Sequence, residues 1–213
     1  MRKFTFIVGP VAAGKTTLME KTYNIDPNHS NFFDPNKSKL MIQLYGEDLS
    51  VINDLSLAQA FSNAIKDSVE NNKDFLMQIH FTTEQLNQIN SYLHKYQNKF
   101  DFYAHFIGVD NVMILKERAN RRELLGGHSS EGKSITKSYE QSFKNFSTYL
   151  SKFKKTTIWD NTKEYGFNDM EEQLIFENGQ LVFQNTKLTD YSMNLLKKIN
   201  EQKDNKRSFG LRR

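Results

Sequence analysis

A glycine-rich stretch close to the start of the sequence, GPVAAGKTT at residues 9–17, constrains the fold more than any other feature. It follows the apolar run FTFIV, whose bulky, β-prone residues predict a buried strand, and the pattern from Lys15 to Tyr23 predicts a helix. The letters fit G-x-x-x-x-G-K-[ST], which forms a phosphate-binding loop when a strand precedes it and a helix follows it. The sequence therefore predicts a P-loop at the end of the first strand.

The residue types in this loop suit the chemistry of a nucleotide phosphate. Gly9 allows a sharp turn out of the strand, and Gly14 allows backbone N–H groups to approach a phosphate closely. The Lys15 ammonium can reach the β- and γ-phosphates, the Thr16 hydroxyl can ligate Mg²⁺, and the N-terminus of the following helix favours an anion. We expect ATP and Mg²⁺ as cofactors, with Thr16 as the metal ligand. The predicted nucleotide contacts come from Gly9, Ala12, Ala13, Gly14, Lys15, Thr16 and Thr17.

Strand and helix patterns alternate along most of the chain. Predicted strands lie at residues 3–8, 74–81, 101–109 and 155–161, and predicted helices at 15–23, 55–71, 84–96, 112–125 and 138–152. Such alternation indicates a parallel sheet with helices on both faces. We expect the α/β class, as a three-layer α/β/α parallel sheet of the P-loop NTPase type.

The last quarter of the chain has a different pattern. Asn178-Gly179 lies between two apolar runs and is a strong hairpin signal, and a helix from Tyr191 to Ile199 with a capping Thr189 follows it. We expect a single domain over residues 1–200, in which 170–200 form a small hairpin-plus-helix appendage. Residues 201–213 are expected to form a basic, mobile tail.

Composition excludes several classes of protein. The 213 residues include no cysteine, which rules out disulfides and cysteine metal sites and suits a reducing compartment. The opening MRKFTFIVGPVAAGK resembles a signal peptide for a few residues only, because the apolar run is short and Lys15 interrupts it. No apolar stretch approaches the roughly 20 residues of a membrane helix. We expect a soluble, cytoplasmic protein without membrane contact, and nucleic acid as an unfavoured partner despite the basic end DNKRSFGLRR.

A P-loop alone does not define a reaction, because GTPases, motor ATPases and small-molecule kinases all use it. The sequence contains no N-K-x-D segment for reading guanine and no clear apolar strand that ends in Asp-Glu. The stretch IWDN, from Ile158 to Asn161, comes nearest to such a strand but lies late in the chain. These observations favour a kinase of a small or nucleotide-like acceptor.

The segment ERANRRELLGGHSSEGKSITKSYEQSFKNFSTYL at residues 117–150, together with IWDN, resembles the zeta-toxin-like kinase family. That group has the pattern R-x-x-x-R-x-x-x-G-G-H, then an Ile, an Arg-Tyr pair, S-x-x-N-[LF] and a later D-N. The matching residues are Arg118, Arg122, Gly126, Gly127, His128, Ile135, Tyr139, Ser142, Asn145, Phe146, Asp160 and Asn161. With the P-loop, the resemblance extends from residue 4 to about residue 199.

The resemblance implies a P-loop kinase whose relatives phosphorylate UDP-N-acetylglucosamine on a sugar hydroxyl, some of them as toxins restrained by a small helical antitoxin. It implies that Lys15 and Thr16 hold ATP and Mg²⁺. It also implies that Arg118 and Arg122 reach the phosphates, where guanidinium groups stabilise the spread charge of a phosphoryl transition state. His128 has a structural or closing role in this comparison. The implied partners are a nucleotide, a small-molecule acceptor and an antitoxin protein.

Three polar positions depart from the family pattern. The family's N-x-D element, whose Asp is the general base, is matched by FFDPNKSK, with Asp34 at the Asn position and Asn36 at the Asp position. An amide does not accept a proton usefully at neutral pH, so Asp34 is either the base or a turn residue. Gln78 replaces a family Glu at a strand end. Ser138 replaces the Arg of the Arg-Tyr pair, with Lys137 beside it.

The first hypothesis is a kinase that transfers the γ-phosphoryl of ATP to a hydroxyl of a small or nucleotide-linked acceptor such as a UDP-sugar. Its catalytic residues are Lys15, Asp34, Arg118 and Arg122, and the acceptor lies near residues 78–83 at the carboxyl edge of the sheet. The second hypothesis, motivated by the three departures, is a regulator that binds nucleotide without turnover. A third, motivated by a pI near 9.0, is a nucleic-acid end kinase.

Overall fold

The computed structural model describes residues 1–23, 32–34, 54–126, 132–163 and 170–210, which contain seven strands and six helices. The strands are β1 (Arg2–Val8), β2 (Phe32–Phe33), β3 (Phe75–Ile79), β4 (Phe100–Gly108), β5 (Lys155–Asp160), β6 (Glu171–Glu177) and β7 (Gln180–Gln184). The helices are α1 (Lys15–Tyr23), α2 (Asp54–Glu70), α3 (Leu86–Tyr96), α4 (Val112–Leu124), α5 (Gly132–Phe146) and α6 (Asp190–Gly210).

All seven strands belong to one sheet, in the order β2-β3-β1-β4-β5-β6-β7. Strands β1 to β5 are parallel, whereas β6 and β7 run antiparallel to their neighbours. The P-loop strand β1 lies between β3 and β4, so the ends of all three strands meet around the loop. The predicted α/β class with a parallel sheet and a C-terminal hairpin is confirmed.

Helices cover both faces of the sheet, as the three-layer prediction requires. Successive residues of a strand face opposite sides. Phe4 and Phe6 therefore join one apolar core, which includes residues of α2, α3 and α6, and Ile7 joins a second core with residues of α1 and α4. The first core is rich in phenylalanine, and the Phe4 and Phe6 rings stack with centroids 4.5 Å apart. Burial of both faces explains why β1 has an apolar rather than an alternating sequence.

The hairpin forms where the sequence predicted it, and it continues the main sheet. Asn178 and Gly179 have φ values of +49° and +76°, the pair of left-handed conformations that a tight two-residue turn requires. Strand β6 pairs with β5, so the hairpin extends the seven-stranded sheet at its edge. We accordingly propose that residues 1–200 form one domain.

Two helix predictions differ from the structure by six residues or more at an end. The helix predicted at 138–152 begins six residues earlier, at Gly132, and ends at Phe146. The Ser147 and Thr148 hydroxyls bond back to the carbonyls of Lys144 and Asn145, which favours a turn over continued helix. Helix α6 extends beyond the predicted end at Ile199 to Gly210, into the segment for which the sequence suggested a mobile tail.

None of the helices in the described ranges is long and apolar enough to cross a lipid bilayer.

Candidate active site

The P-loop adopts a conformation that depends on its two glycines. Gly14 has a φ of +96°, and a Cβ atom there would lie 2.5 Å from Asn161 Nδ2. Gly9 has a φ of +153°, and a Cβ atom there would lie 2.6 Å from the carbonyl oxygen of Ile107. Ala12 also has a positive φ of +62°. Helix α1 begins directly after the loop at Lys15, so its N-terminal N–H groups face the space that the loop encloses.

Lys15 is almost fully buried beneath this loop, with 4% of its surface exposed. Its ammonium group donates to the carbonyl oxygens of Gly9 at 2.9 Å and Pro10 at 2.8 Å, and it lies 3.0 Å from His80 Nδ1. Burial and the charge of Lys15 lower the pKa of His80 to about 3, so the imidazole is neutral, and its Nδ1 also lies 3.3 Å from the Gly9 carbonyl oxygen. Two donors of the ammonium are thus bonded to loop carbonyls, and His80 is its third neighbour.

A chain of polar contacts connects the loop to the two neighbouring strands. The Thr16 hydroxyl donates to Gln78 Oε1 at 3.2 Å, and Gln78 Nε2 donates to Asp34 Oδ2 at 3.3 Å. Gln78 is in β3 and Asp34 directly follows β2. The predicted metal ligand Thr16 and the predicted base Asp34 are therefore brought together through the residue that replaces the family's Glu.

These residues line one cavity of about 890 Å³, hereafter the cleft. One wall is the P-loop and the start of α1, residues 11–17. The other walls carry the polar side chains of Thr82, Ser134 and Ser138 and a larger group of charged or strongly polar ones, which are Asp34, Gln78, His80, Glu84, Arg118, Arg122 and Lys137. All four predicted catalytic residues line the cleft, and cations outnumber anions in this set. A cleft with an excess of positive charge suits a polyanionic ligand.

The two arginines of the motif are on α4 and reach the cleft from one side. Arg118 and Arg122 are four residues apart and therefore on one face of the helix. Arg118 Nη2 donates to the carbonyl oxygen of Lys163 at 2.8 Å. Arg122 is close enough to Lys15 to lower the pKa of the ammonium. Both guanidinium groups can thus face an anion in the cleft.

Helix α5 is attached to two parts of the cleft by polar side chains on one face. The Ser138 hydroxyl accepts from the backbone N–H of Val11 at 3.1 Å, which fixes the P-loop. One turn further, the Ser142 hydroxyl donates to the His80 carbonyl, and Asn145 Nδ2 donates to the Phe81 carbonyl at 3.0 Å. The serine that replaces the family's arginine is therefore a contact of the loop backbone. The S-x-x-N pair holds the segment after β3.

The D-N pair after β5 also supports the P-loop. Asn161 is buried, and its Nδ2 donates to the carbonyl oxygen of Ala13 at 2.9 Å, while its backbone N–H donates to Gly108. Asp160 accepts from the Thr162 hydroxyl at 2.5 Å, and burial raises the pKa of its carboxyl. Asp160 does not line the cleft. The IWDN strand thus supplies a brace for the loop.

Removing this brace should destabilise the protein. Asn161→Ala leaves the buried carbonyl of Ala13 without its amide donor, which costs about 1–3 kcal/mol of unfolding free energy. Urea unfolding measures this cost. Asn185→Ala is the matched control, because Asn185 Nδ2 bonds the Glu172 carbonyl at the same 2.9 Å but at an exposed position. Equal losses in the two variants would contradict a special role for Asn161.

The pKa of Lys15 predicts how ATP affinity depends on pH. Burial lowers this pKa from 10.5 to about 7, partly offset by the charge of Asp34 and assisted by Arg122. Phosphate groups favour the charged ammonium, so the pKa is higher in the complex than in the free protein. Below pH 7 Lys15 is already charged, so its titration should not change the ATP affinity. Above pH 7 the affinity should fall by up to about tenfold per pH unit. Calorimetry at several pH values measures this slope, which Lys15→Met should abolish.

Sequence reasoning placed the acceptor near residues 78–83 but gave no role to the individual side chains of His80 and Thr82, and it did not include Glu84. His80 is a neighbour of Lys15, and Thr82 and Glu84 line the wall after β3. The rule that placed the acceptor there, that such folds hold ligands beyond the carboxyl ends of their strands, also applies to these side chains. Lys137 forms an exposed ion pair with Glu84 at the rim. The remaining predicted residues Asn36, Gly127 and His128 lie outside the described residues.

The protein has a three-layer α/β/α fold with a P-loop between β1 and α1. No protein-family model matches the sequence, and no curated protein matches it. Solved structures do match its fold. A chain in the crystal structure of AvrRxo1-ORF1 with AvrRxo1-ORF2 and sulphate ions has a TM-score of 0.64 at 11% identity, and the match covers 93% of this chain and 63% of that chain.

Two further structures have the same fold. A chain of the PezAT chromosomal toxin–antitoxin system of Streptococcus pneumoniae has a TM-score of 0.53 at 12% identity, with 94% of this chain and 87% of that chain covered. A chain of the Pnkp1/Rnl/Hen1 RNA repair complex has a TM-score of 0.53 at 17% identity, with 69% and 46% covered. This protein spans about three fifths of the AvrRxo1 chain and under half of the RNA repair chain. The predicted resemblance to zeta-toxin-like kinases is confirmed as a likeness of fold.

Proposed function

We propose that the protein is an ATP-dependent phosphotransferase of the zeta-toxin-like kind. It transfers the γ-phosphoryl group of ATP to a hydroxyl of a small or nucleotide-linked acceptor, with a UDP-sugar as the first candidate. The observation that carries the proposal is the convergence of Lys15, Thr16, Asp34, Arg118 and Arg122 on one cleft. Phosphoryl transfer needs positioning and positive charge around the phosphates, and this cleft supplies both.

The proposed reaction assigns a role to each residue. The acceptor hydroxyl oxygen forms a bond to the γ-phosphorus while the bond from that phosphorus to the β–γ bridging oxygen of ADP breaks. The hydroxyl proton passes to Asp34, the carboxylate that directly follows β2 and lines the cleft. Lys15 contacts the β- and γ-phosphates, and Arg118 and Arg122 stabilise the charge that spreads over the transferred group.

The residues around Thr16 are suitable for Mg²⁺. The Thr16 hydroxyl is a hard oxygen donor at the start of α1, and the Gln78 amide oxygen accepts its proton. Mg²⁺ in nucleotide sites keeps several waters and is bound largely by the substrate phosphates, so few protein oxygens are needed. Thr16 would bind the ion, and the ion would neutralise phosphate charge.

Solved structures of the same fold support two finer parts of the proposal. The AvrRxo1-ORF1:-ORF2 complex has also been solved with ATP, which supports ATP as the nucleotide here. That complex and the PezAT toxin–antitoxin system both contain a partner protein, which supports an antitoxin as a partner of this chain. A cytoplasmic location, where ATP and nucleotide sugars are available, is part of the same proposal.

A second function is favoured by the polar substitutions in the cleft. Gln78 is a neutral amide where the family has a carboxylate, and the ammonium of Lys15 donates to the carbonyls of Gly9 and Pro10 within the loop. A protein with these features could bind nucleotide and act as a regulator without turnover. This alternative predicts ATP binding with no transfer to any acceptor.

Radiolabel transfer from γ-labelled ATP separates the two functions. The acceptors are a panel of UDP-sugars, a metabolite extract and an oligonucleotide with a free 5′-hydroxyl. The variants are Lys15→Ala and, as the matched control, Lys66→Ala, since Lys66 is an exposed lysine on α2. Label on a small hydroxyl compound that is lost only in Lys15→Ala supports the kinase. ATP binding without label transfer supports the regulator, and label on the oligonucleotide alone supports an end kinase.

A further inference from the structure

Gln78 occupies a central position in the cleft that the proposed reaction does not use. It is buried, with 8% of its surface exposed, and the two ends of its side-chain amide bond in opposite directions. The oxygen accepts from the Thr16 hydroxyl at 3.2 Å, and the nitrogen donates to Asp34 at 3.3 Å. One neutral side chain thus joins the predicted metal ligand to the predicted base.

The sheet register places these three residues next to one another. Gln78 pairs with Ile7, so it is beside the end of β1 that leads into the P-loop. Met77 pairs with Phe33, so Asp34 follows β2 at the level of Gln78. The backbone pairing of the strands therefore places the Gln78 side chain between the P-loop and Asp34.

The chemistry of a ligating hydroxyl explains why an acceptor is needed there. A threonine hydroxyl that binds a cation through its lone pairs must direct its proton away from the ion. Gln78 Oε1 accepts that proton, which leaves both lone pairs of Thr16 available. Outer-shell partners of this kind fix the orientation of metal ligands.

The other end of the amide explains why a glutamine suits this position. Asp34 is an acceptor when ionised, so its neighbour must be a donor. A glutamate at position 78 could still accept from Thr16, but it would face Asp34 with a like charge. A methionine, which is similar in size, could neither accept from Thr16 nor donate to Asp34.

We propose that Gln78 is a positioning residue, which orients Thr16 toward Mg²⁺ with its oxygen and holds Asp34 with its nitrogen. The inference rests on the proposed binding of Mg²⁺ with ATP. It goes beyond that function because it predicts which part of the binding free energy depends on Gln78. That part is the gain in ATP affinity when Mg²⁺ is added.

Calorimetry of ATP binding, with Mg²⁺ and with EDTA, measures this gain directly and needs no turnover. Gln78→Met should reduce the gain about tenfold or more, the usual effect of losing an outer-shell partner, and leave Mg²⁺-free binding little changed. Gln78→Glu should keep the gain, because the oxygen toward Thr16 remains, but weaken Mg²⁺-free binding by adding negative charge to the cleft. Thermal unfolding checks that both variants are folded.

A double-mutant cycle with Thr16→Val tests whether Gln78 acts through Thr16. In that background Gln78→Met should not change the Mg²⁺ gain further, since the hydroxyl to be oriented is absent. An unchanged gain in Gln78→Met, or effects of the two substitutions that multiply, would overturn the proposed positioning role. A wild-type protein that binds no ATP would instead overturn the proposed function and this inference with it, so the two failures differ in the wild-type measurement.

Discussion

Replacing Lys15 by methionine is expected to lower phosphoryl transfer at least about a hundredfold while the protein stays folded. The ammonium donates to two P-loop carbonyls and lies where helix α1 begins, so we expect it to contact the phosphates. Methionine keeps the length of the side chain but removes its charge. Transfer of label from γ-labelled ATP measures the loss, with Lys66→Met as a control that removes an exposed lysine.

The stability of the protein as a function of pH tests the pKa of Lys15 independently of activity. The pKa of Lys15 is about 7 in the folded protein and 10.5 as its ordinary value. Between these values the unfolded chain binds more protons, so this group makes the wild-type protein more stable as pH rises from 7 toward 10.5. Lys15→Met should lack that contribution. A variant that keeps full transfer activity would exclude Lys15 from the reaction.

The second large effect is expected from Asp34→Asn, which should lower transfer by about two to four orders of magnitude. Asparagine has the same shape as aspartate, but it cannot take the proton of the acceptor hydroxyl at neutral pH. ATP binding should be kept or improved, because the substitution removes a negative charge from the cleft that is proposed to bind the phosphates. The expected result is therefore a low kcat with an unchanged or lower KM for ATP.

Asp101→Asn is the matched control for this substitution. Asp101 is at the opposite end of β4 from the cleft, where it pairs with Lys154 at 3.0 Å, so its replacement should leave transfer unchanged. Normal turnover by Asp34→Asn would mean that another group accepts the proton. Loss of ATP binding in Asp34→Asn would assign Asp34 to the nucleotide rather than to the acceptor.

Local sequence signals predicted most of the fold. The P-loop pattern, the apolar run before it and the helix after it depend on contacts between neighbouring residues, so the local sequence is enough to predict them. The same holds for the Asn178-Gly179 turn and the Thr189 cap, whose hydroxyl lies 3.4 Å from the Ser192 N–H. The bounds of α5 were predicted less well, because Ser147 and Thr148 end the helix through side-chain bonds that periodicity does not reveal.

The residues of the candidate site also differ in whether the sequence predicted them. Those within the P-loop were predicted from the spacing of the motif, and Arg118 and Arg122 from the resemblance to zeta-toxin-like kinases. The role of Ser138 was not predicted, because its partner Val11 is 127 residues away in the chain. The brace from Asn161 to Ala13 spans 148 residues and was likewise hidden in the sequence.

The sequence by itself determined that a strand, a glycine-rich loop and a helix would follow one another, with Lys15 and Thr16 at the start of the helix, because each step depends on adjacent residues. Only the tertiary structure decided what surrounds that loop. Parallel pairing of β1 with β3 and of β3 with β2 places Gln78 between Thr16 and Asp34. The physical reason is that strand order and register bring distant residues together, and neither is encoded in the local pattern of one strand.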